Sequence, residues 1–343
     1  MKKLLNTVYV TTPGAALRKD GENLVAEIDG AVRARAPLHM LGGVVTFGAI
    51  SVTPALTGAC AAAGITLTLL DRAGRFQARV EGPTTGNVLL RRAQYRLADE
   101  AALDVARSFV VGKLSNQRAV LMRALREHDG DAPDRARMEA TTTRLAHLAR
   151  RAGLGPLTLD ELRGIEGEGA QIYFSVFDAL IRSPDEGMRF SGRSRRPPLD
   201  PVNAVLSFLY ALLTHDCRSA AEGVGIDPAV GFLHRDRPGR PSLALDLMEE
   251  FRPVLADRLA LSLINRRQLR SADFDRLDSG AVILKDDARR TVIEAWQERK
   301  KAERRHPFLD ETAPLGLVPH LQALLLARTL RGDLDAYPPW LWS

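Results

Sequence analysis

Over the first eighty residues, apolar and polar positions alternate with a period near two in short runs: Asn6–Thr12, Asn23–Ile28, Ala31–Ala36, Val44–Phe47 and Ile65–Leu70, separated by Gly, Asp and Pro. Neighbouring side chains of a strand face opposite ways, so this spacing predicts strands. Asp29-Gly30 between two of the runs predicts a hairpin. One short helix is expected where Thr53 can cap, Pro54 suits the first turn and Gly64 closes an Ala-rich stretch. From Val88 the period changes to three and four, through Leu89, Ala93, Leu97, Ala101 and Val105. Helical patterns then alternate with breaks at Gly130 to Asp134, Gly153 to Pro156, Arg182 to Pro201 and Gly223 to Gly231. The expected fold class is α+β: a small N-terminal mostly-β domain over 1–82, a linker at 83–87, and a larger all-α domain over 88–343. The tail from Arg331, with Pro338-Pro339 and two Trp, is short enough either to pack on a neighbour or to hang free.

Composition narrows the class. The chain has 343 residues, 45% of them hydrophobic, which suits a globular protein of two domains rather than a disordered one. No run approaches about eighteen apolar residues, and polar residues return within six positions of Met1, so neither a membrane span nor a signal peptide is expected and a cytoplasmic location is. Cys60 and Cys217 are the two cysteines; they exclude a disulfide framework or a thiolate zinc site by number and read as small buried hydrophobes. The balance of 48 basic against 42 acidic residues, a net of +6, is compatible with nucleic-acid binding without requiring it.

Two stretches carry candidate chemistry. Arg163 to Phe174 contains Gly164-Ile165-Glu166-Gly167-Glu168-Gly169, a glycine-rich segment unlike a phosphate cradle because its two carboxylates would repel a phosphate. They favour a cation between protein and phosphate. Ala170, Tyr173, Phe174, Phe177, Leu180 and Ile181 form a helical stripe after it, which places Glu166 near a first turn; there it either complements the helix dipole or ligates. Glu168 points elsewhere. The second stretch holds His234, then Arg235, Arg237 and Arg240, then a helix from Ser242 in which Asp246 shares a face with Glu249 or Glu250, three and four positions on. Leu243, Leu247 and Phe251 are its apolar face. Imidazole and carboxylates suit Mg²⁺ or Mn²⁺. Arg189, Arg193, Arg195 and Arg196, with Arg235, Arg237 and Arg240, are either solvated loops or forks for phosphate. Arg266-Arg267 with Arg270, and the run from Arg289 to Arg305 with Glu294, Glu298 and Glu303 interspersed, read as solvated helix faces.

The Gly-Ile-Glu-Gly segment, Phe190 to Ala204, and Gly231-Phe-Leu-His followed by Ser242 to Pro253 occur in an order that resembles the CRISPR-associated integrase family of spacer acquisition, Cas-one, with His234 to Arg240 similar to its type I-C branch. The resemblance runs to about residue 300. It implies an endonuclease and integrase of antiviral defence in which the 3′-hydroxyl of a short DNA attacks a phosphodiester at a CRISPR repeat. It implies a Mg²⁺ or Mn²⁺ site made of Glu166, His234 and Glu249, with Asp246 an acidic neighbour whose share in ligation stays open. It implies a homodimer through the β domain, and assembly with a dimer of a second small protein, Cas-two, into a heterohexamer on double-stranded DNA. Lys113, Asn116, Gln117 and Asn203 also match family positions and read as structural. Two rivals stand beside this: a non-catalytic DNA-binding scaffold, and a phosphohydrolase built on His215-Asp216 with His147.

Overall fold

The computed structural model describes residues 6–71, 76–80, 82, 88–127 and 132–342. The linker at 83–87, the start of the Gly130 break and Ser343 lie outside the described residues. The chain divides into two compact units, Met1–Thr85 with Leu284–Ile293, and Gly86–Ile283 with Glu294–Ser343.

In the first unit the strands are β1 (Asn6–Val10), β2 (Ala16–Asp20), β3 (Asn23–Ile28), β4 (Ala31–Pro37), β5 (Leu41–Phe47), β6 (Ser51–Val52), β7 (Thr66–Leu70) and β8 (Phe76–Val80). They form two four-stranded sheets, ordered β1-β5-β7-β8 and β4-β3-β2-β6. β1, β5 and β7 run parallel, and a parallel pair needs a crossover. Helix α1 (Pro54–Ala62), capped by Thr53 as its sequence predicts, lies between β5 and β7 in the chain. Leu17, Leu24, Val44, Leu56, Cys60 and Leu67 belong to one core. β2 escapes the alternation argument because only Leu17 of its five residues is buried.

The second unit is helical: α2 (Val88–Glu100), α3 (Ala102–Arg126), α4 (Ala132–Leu154), α5 (Leu159–Ser175), α6 (Pro201–Val224), α7 (Ser242–Glu249), α8 (Arg258–Asn265), the later part of α9 (Asp286–Lys301), and α10 (Val318–Leu330). Among the described residues, no helix is long and apolar enough to cross a membrane. α3 packs against α4, α5 and α7, and α6 against α7 and α10. The stripe expected on α2 is not the buried one: Leu89 is 67% exposed, and Leu90 and Gln94 face inward. Gln94 is satisfied there by the carbonyls of Asp227 and Val230, each 2.8 Å away.

Glu166 also departs from its expected position. Thr158 and Glu161 form a reciprocal capping box, so α5 starts at Leu159 and Glu166 sits two turns inside it, not at a first turn. The three glycines of that segment are helical. At Gly169 a Cβ would stand 2.1 Å from Cδ2 of Leu114, so the missing side chain lets α5 lie close on α3. Gly112 does the same on another face of α3, where a Cβ would meet Glu250 and Pro339 at 3.1 Å each.

The tail packs on its own unit. Tyr337 and Trp340 are each 2% exposed. Glu250 accepts from the Tyr337 hydroxyl, the Trp340 amide and Gln322, while Asn116 donates to the carbonyls of Glu250 and Trp340 at 2.7 and 2.9 Å. Burial pushes Glu250 up to about 8 against the pull of those donors.

Candidate functional site

The two stretches singled out in the sequence meet. Arg163 of α5 donates through Nε to the carbonyl of Leu233 at 2.6 Å, and Asp160 pairs with both Arg163 and Arg235. These bonds tie the Gly-Ile-Glu-Gly helix to the loop that carries His234.

The loop is held by Asp246. This carboxylate, 0% exposed, accepts the backbone N–H of Phe232, Leu233 and His234 at 2.6, 3.0 and 2.9 Å, and lies 2.6 Å from Nδ1 of His234. An acceptor-only carboxylate at Nδ1 assigns the proton to that nitrogen in the neutral ring and leaves Nε2 with its lone pair. Nε2 lies 3.8 Å from Oε1 of Glu249. Asp246 thus has all its oxygens committed to loop and imidazole, the arrangement that commonly orients a ligating histidine. It is a positioning residue for His234 rather than a free oxygen donor.

Glu249 and Glu250 part company, as neighbours about 100° apart on a helix must. Glu250 turns to the tail. Glu249, 1% exposed, meets Lys113 at 2.7 Å and Arg252 at 3.1 Å. Burial alone would raise its pKa; the charges of Arg252, then Lys113 and His234, overcome that and bring it down to about 2. The Lys113 ammonium also binds Glu166, so α3 inserts one cation between carboxylates from α5 and α7. Burial would lower the Lys113 pKa, but Glu166 and Glu249 raise it. Sequence reasoning gave neither Lys113 nor Arg252 a place in the site. Arg252 stands three positions after Glu249, a spacing that signals an ion pair; Lys113 lies 53 residues from Glu166 and gives no such signal.

The donors fit a hard divalent cation in kind: two carboxylates that already close on a positive charge, and an imidazole whose other nitrogen is held by a carboxylate. Among the described residues, no three His, Cys, Asp or Glu side chains converge closely enough to hold an ion as they stand. Lys113 stands between two of them.

An open groove of about 570 Å³ leads from Glu166 along Gln171, Asp178, Ser191, Arg193 and Arg195. Arg189, Arg195 and Arg196 are exposed in this loop. Arg193 is half-buried too: its Nη1 donates to Ser194 and Asn203 at 2.6 Å, and its guanidinium lies 5.2 Å from the Tyr210 ring. Asn203 folds the loop onto α6 by donating to the Gly192 carbonyl. Arg235 and Arg237 are exposed, Arg240 half-buried. Glu168 points to α4 and pairs with Arg144. The His215-Asp216 rival finds no support, since the Asp216 carboxylate is bound by Lys300 and Trp296 inside the unit.

A family model and a curated relative point to one family. Residues 8–298 match the family model of the CRISPR associated protein Cas1. A "CRISPR-associated endonuclease Cas1 2" of Rhodospirillum rubrum is 70% identical over the full length of both chains. Two solved structures superpose over nearly all of this chain at 23% identity. One is a Cas6-RT-Cas1–Cas2 complex, with a TM-score of 0.83, 100% of this chain and 36% of that longer one covered. The other is a casposase bound to integration product, with a TM-score of 0.81 and coverages of 98% and 94%.

Proposed function

Because the chain belongs to the Cas1 family of CRISPR-associated proteins, we propose that it is a metal-dependent DNA endonuclease and integrase that inserts short DNA segments into a CRISPR array. The observation that supports this reading is that the Lys113 ammonium binds Glu166 and Glu249 from two separate helices, while Nε2 of His234, from a third segment, lies 3.8 Å from Glu249.

Glu166, His234 and Glu249 would hold Mg²⁺ or Mn²⁺, which supplies Lewis acidity toward a phosphodiester when bound. The reaction is in-line phosphoryl transfer: the incoming 3′-oxygen forms a bond to phosphorus and loses its proton, while the bond to the departing strand's 3′-oxygen breaks and that oxygen gains a proton. The protein's part is to position and to offset charge. Asp246 holds Nδ1 of the imidazole, which leaves Nε2 on the side of Glu249. Arg252 keeps Glu249 ionised at any physiological pH. Arg193 and Arg195 offer guanidinium to the strand in the groove beside Glu166. Water in place of the hydroxyl gives cleavage from the same residues.

The relative solved with Cas2 supports assembly with a dimer of that second protein, and the residues from Ala31 to Arg35, all exposed on edge strand β4, support a homodimer through the β domain. The deciding experiment compares wild type with His234→Ala for Mn²⁺-dependent cleavage and strand transfer of labelled DNA. Loss of both reactions with duplex binding retained is expected; activity equal to wild type would remove the site. A scaffold without catalysis predicts no metal-dependent product from either protein.

A further inference from the structure

Away from the carboxylates, guanidinium groups gather around one indole. Arg258, Arg304 and Arg299 place their central carbons 4.7, 5.4 and 5.8 Å from the centre of the Trp342 ring. Burial first, and then repulsion from Arg299, Arg123 and Arg304, brings Arg258 down to about 10; Arg299 falls to about 10 through burial and the charges of Arg304 and Arg123. Glu127 is the carboxylate that acts on Arg258, and it is engaged by Arg123 at 2.8 Å. Arg123, Arg258, Arg299 and Arg304 repel one another here.

An aromatic face attracts a guanidinium by about 0.5–2 kcal/mol but neutralises none of its charge. Fastening the tail would need one such stack; three bring repulsion that the ring does not offset. Hydrogen bonding is incomplete too. Arg258 Nη1 and Arg299 Nε are buried nitrogens without a hydrogen-bond partner among the described residues, although Arg299 Nη2 reaches the Val254 carbonyl at 2.8 Å and Arg304 Nη1 the Glu303 carbonyl at 2.6 Å. The platform is also rigid. The Trp342 amide donates to Asn116 at 2.7 Å, and its ring packs edge-on against Trp340.

We propose that Arg258, Arg299 and Arg304 around Trp342 form a second phosphate-binding site, which holds the DNA backbone away from the reacting phosphodiester. The inference rests on the integrase reading above. Guanidinium forks match phosphate oxygens in pairs, and a phosphate supplies the charge and acceptors that the protein leaves out here. Continuity favours DNA over an acidic protein surface. Arg258 opens α8 directly after the wide π-type turn Arg252–Asp257, which begins at the arginine that holds Glu249.

The test is the salt dependence of duplex binding, read by fluorescence anisotropy of a fluorescein-labelled DNA several turns long. Removing one guanidinium that neutralises a phosphate lowers the slope of log Kd against log salt by about 0.9, so Arg258→Gln with Arg304→Gln together should lower it by about 1.8. Arg304→Lys should keep the slope. Arg304 is exposed, so Arg304→Gln alone, expected to lower the slope by about 0.9, decides the matter if the double variant fails to fold. A wild-type slope in these variants overturns the site. So does a variant that binds DNA like wild type yet no longer associates with Cas2, which would assign the platform to a protein partner. His234→Ala should bind with the full slope; if it still cuts, the integrase reading fails while the slope result stands apart.

Discussion

Replacing Asp246 separates its two tasks, holding the loop and aiming the imidazole. Asp246→Ala leaves the amides of Phe232, Leu233 and His234 without acceptors, and the first two of those residues are 1% and 3% exposed. An unsatisfied buried donor costs about 1–3 kcal/mol, so two predict a loss of about 2–6 kcal/mol. Asp246→Asn keeps the shape and one carbonyl oxygen, and its loss should be about half as large. Its single oxygen cannot serve both the buried amides and the imidazole, and where it takes the amides of Phe232 and Leu233 the amide nitrogen faces Nδ1 and the His234 ring loses its fixed tautomer. Partners of this kind are worth about 10–100-fold in metal affinity. Urea unfolding measures the first effect and calorimetric titration with Mn²⁺ the second. An Asp246→Ala protein with a wild-type midpoint, or an Asp246→Asn protein with wild-type Mn²⁺ affinity, would refute the reasoning.

Lys113→Met removes the ammonium between Glu166 and Glu249; the metal-free protein should lose about 3–5 kcal/mol, the range for breaking a buried pair, and Mn²⁺ should raise its thermal midpoint more than that of wild type. An equal response to Mn²⁺ in both proteins would contradict this. Trp340→Ala should cost about 3–5 kcal/mol in urea unfolding, because the ring is 2% exposed and packs on Phe251; a change under about 1 kcal/mol would mean the tail is not docked. Asp257, raised to about 6 by burial despite the Tyr210 hydroxyl and the charges of Arg193 and Arg252, takes up a proton on folding between about pH 4 and 6. Its folded pKa lies above the unfolded one, so its contribution is greatest below about pH 4 and falls by about 3 kcal/mol as pH rises to about 6. Asp257→Asn should remove that fall, and urea midpoints at several pH values that run parallel to wild type would sink the assignment.

The β unit was legible where alternation carried it, at β1, β3, β4, β5 and β7, and at α1, whose Thr53 and Pro54 act locally. β2 was not, because Ala-Leu-Arg-Lys-Asp offers one buried side chain and is made a strand by its neighbours. Three glycines of α5 suggest a loop before a helix, whereas Gly169 serves close packing on α3 that no single stretch reveals. His234 and Glu249 were visible as residue types in a telling order. Lys113 was not, since its charge matters only once three helices have met. Asp246 was legible as an acid on the correct face, and only the fold distinguishes a carboxylate that aims an imidazole from one that would ligate.

Glu250, the immediate neighbour of Glu249, is fastened to Trp340, 90 residues further along the chain. A ribosome must therefore translate those residues before the lock beside Glu249 exists. Until then Glu249 rests on Lys113 and Arg252 without the tail behind its neighbour. A polypeptide halted before Trp340 would carry these acidic and imidazole groups without the lock on Glu250.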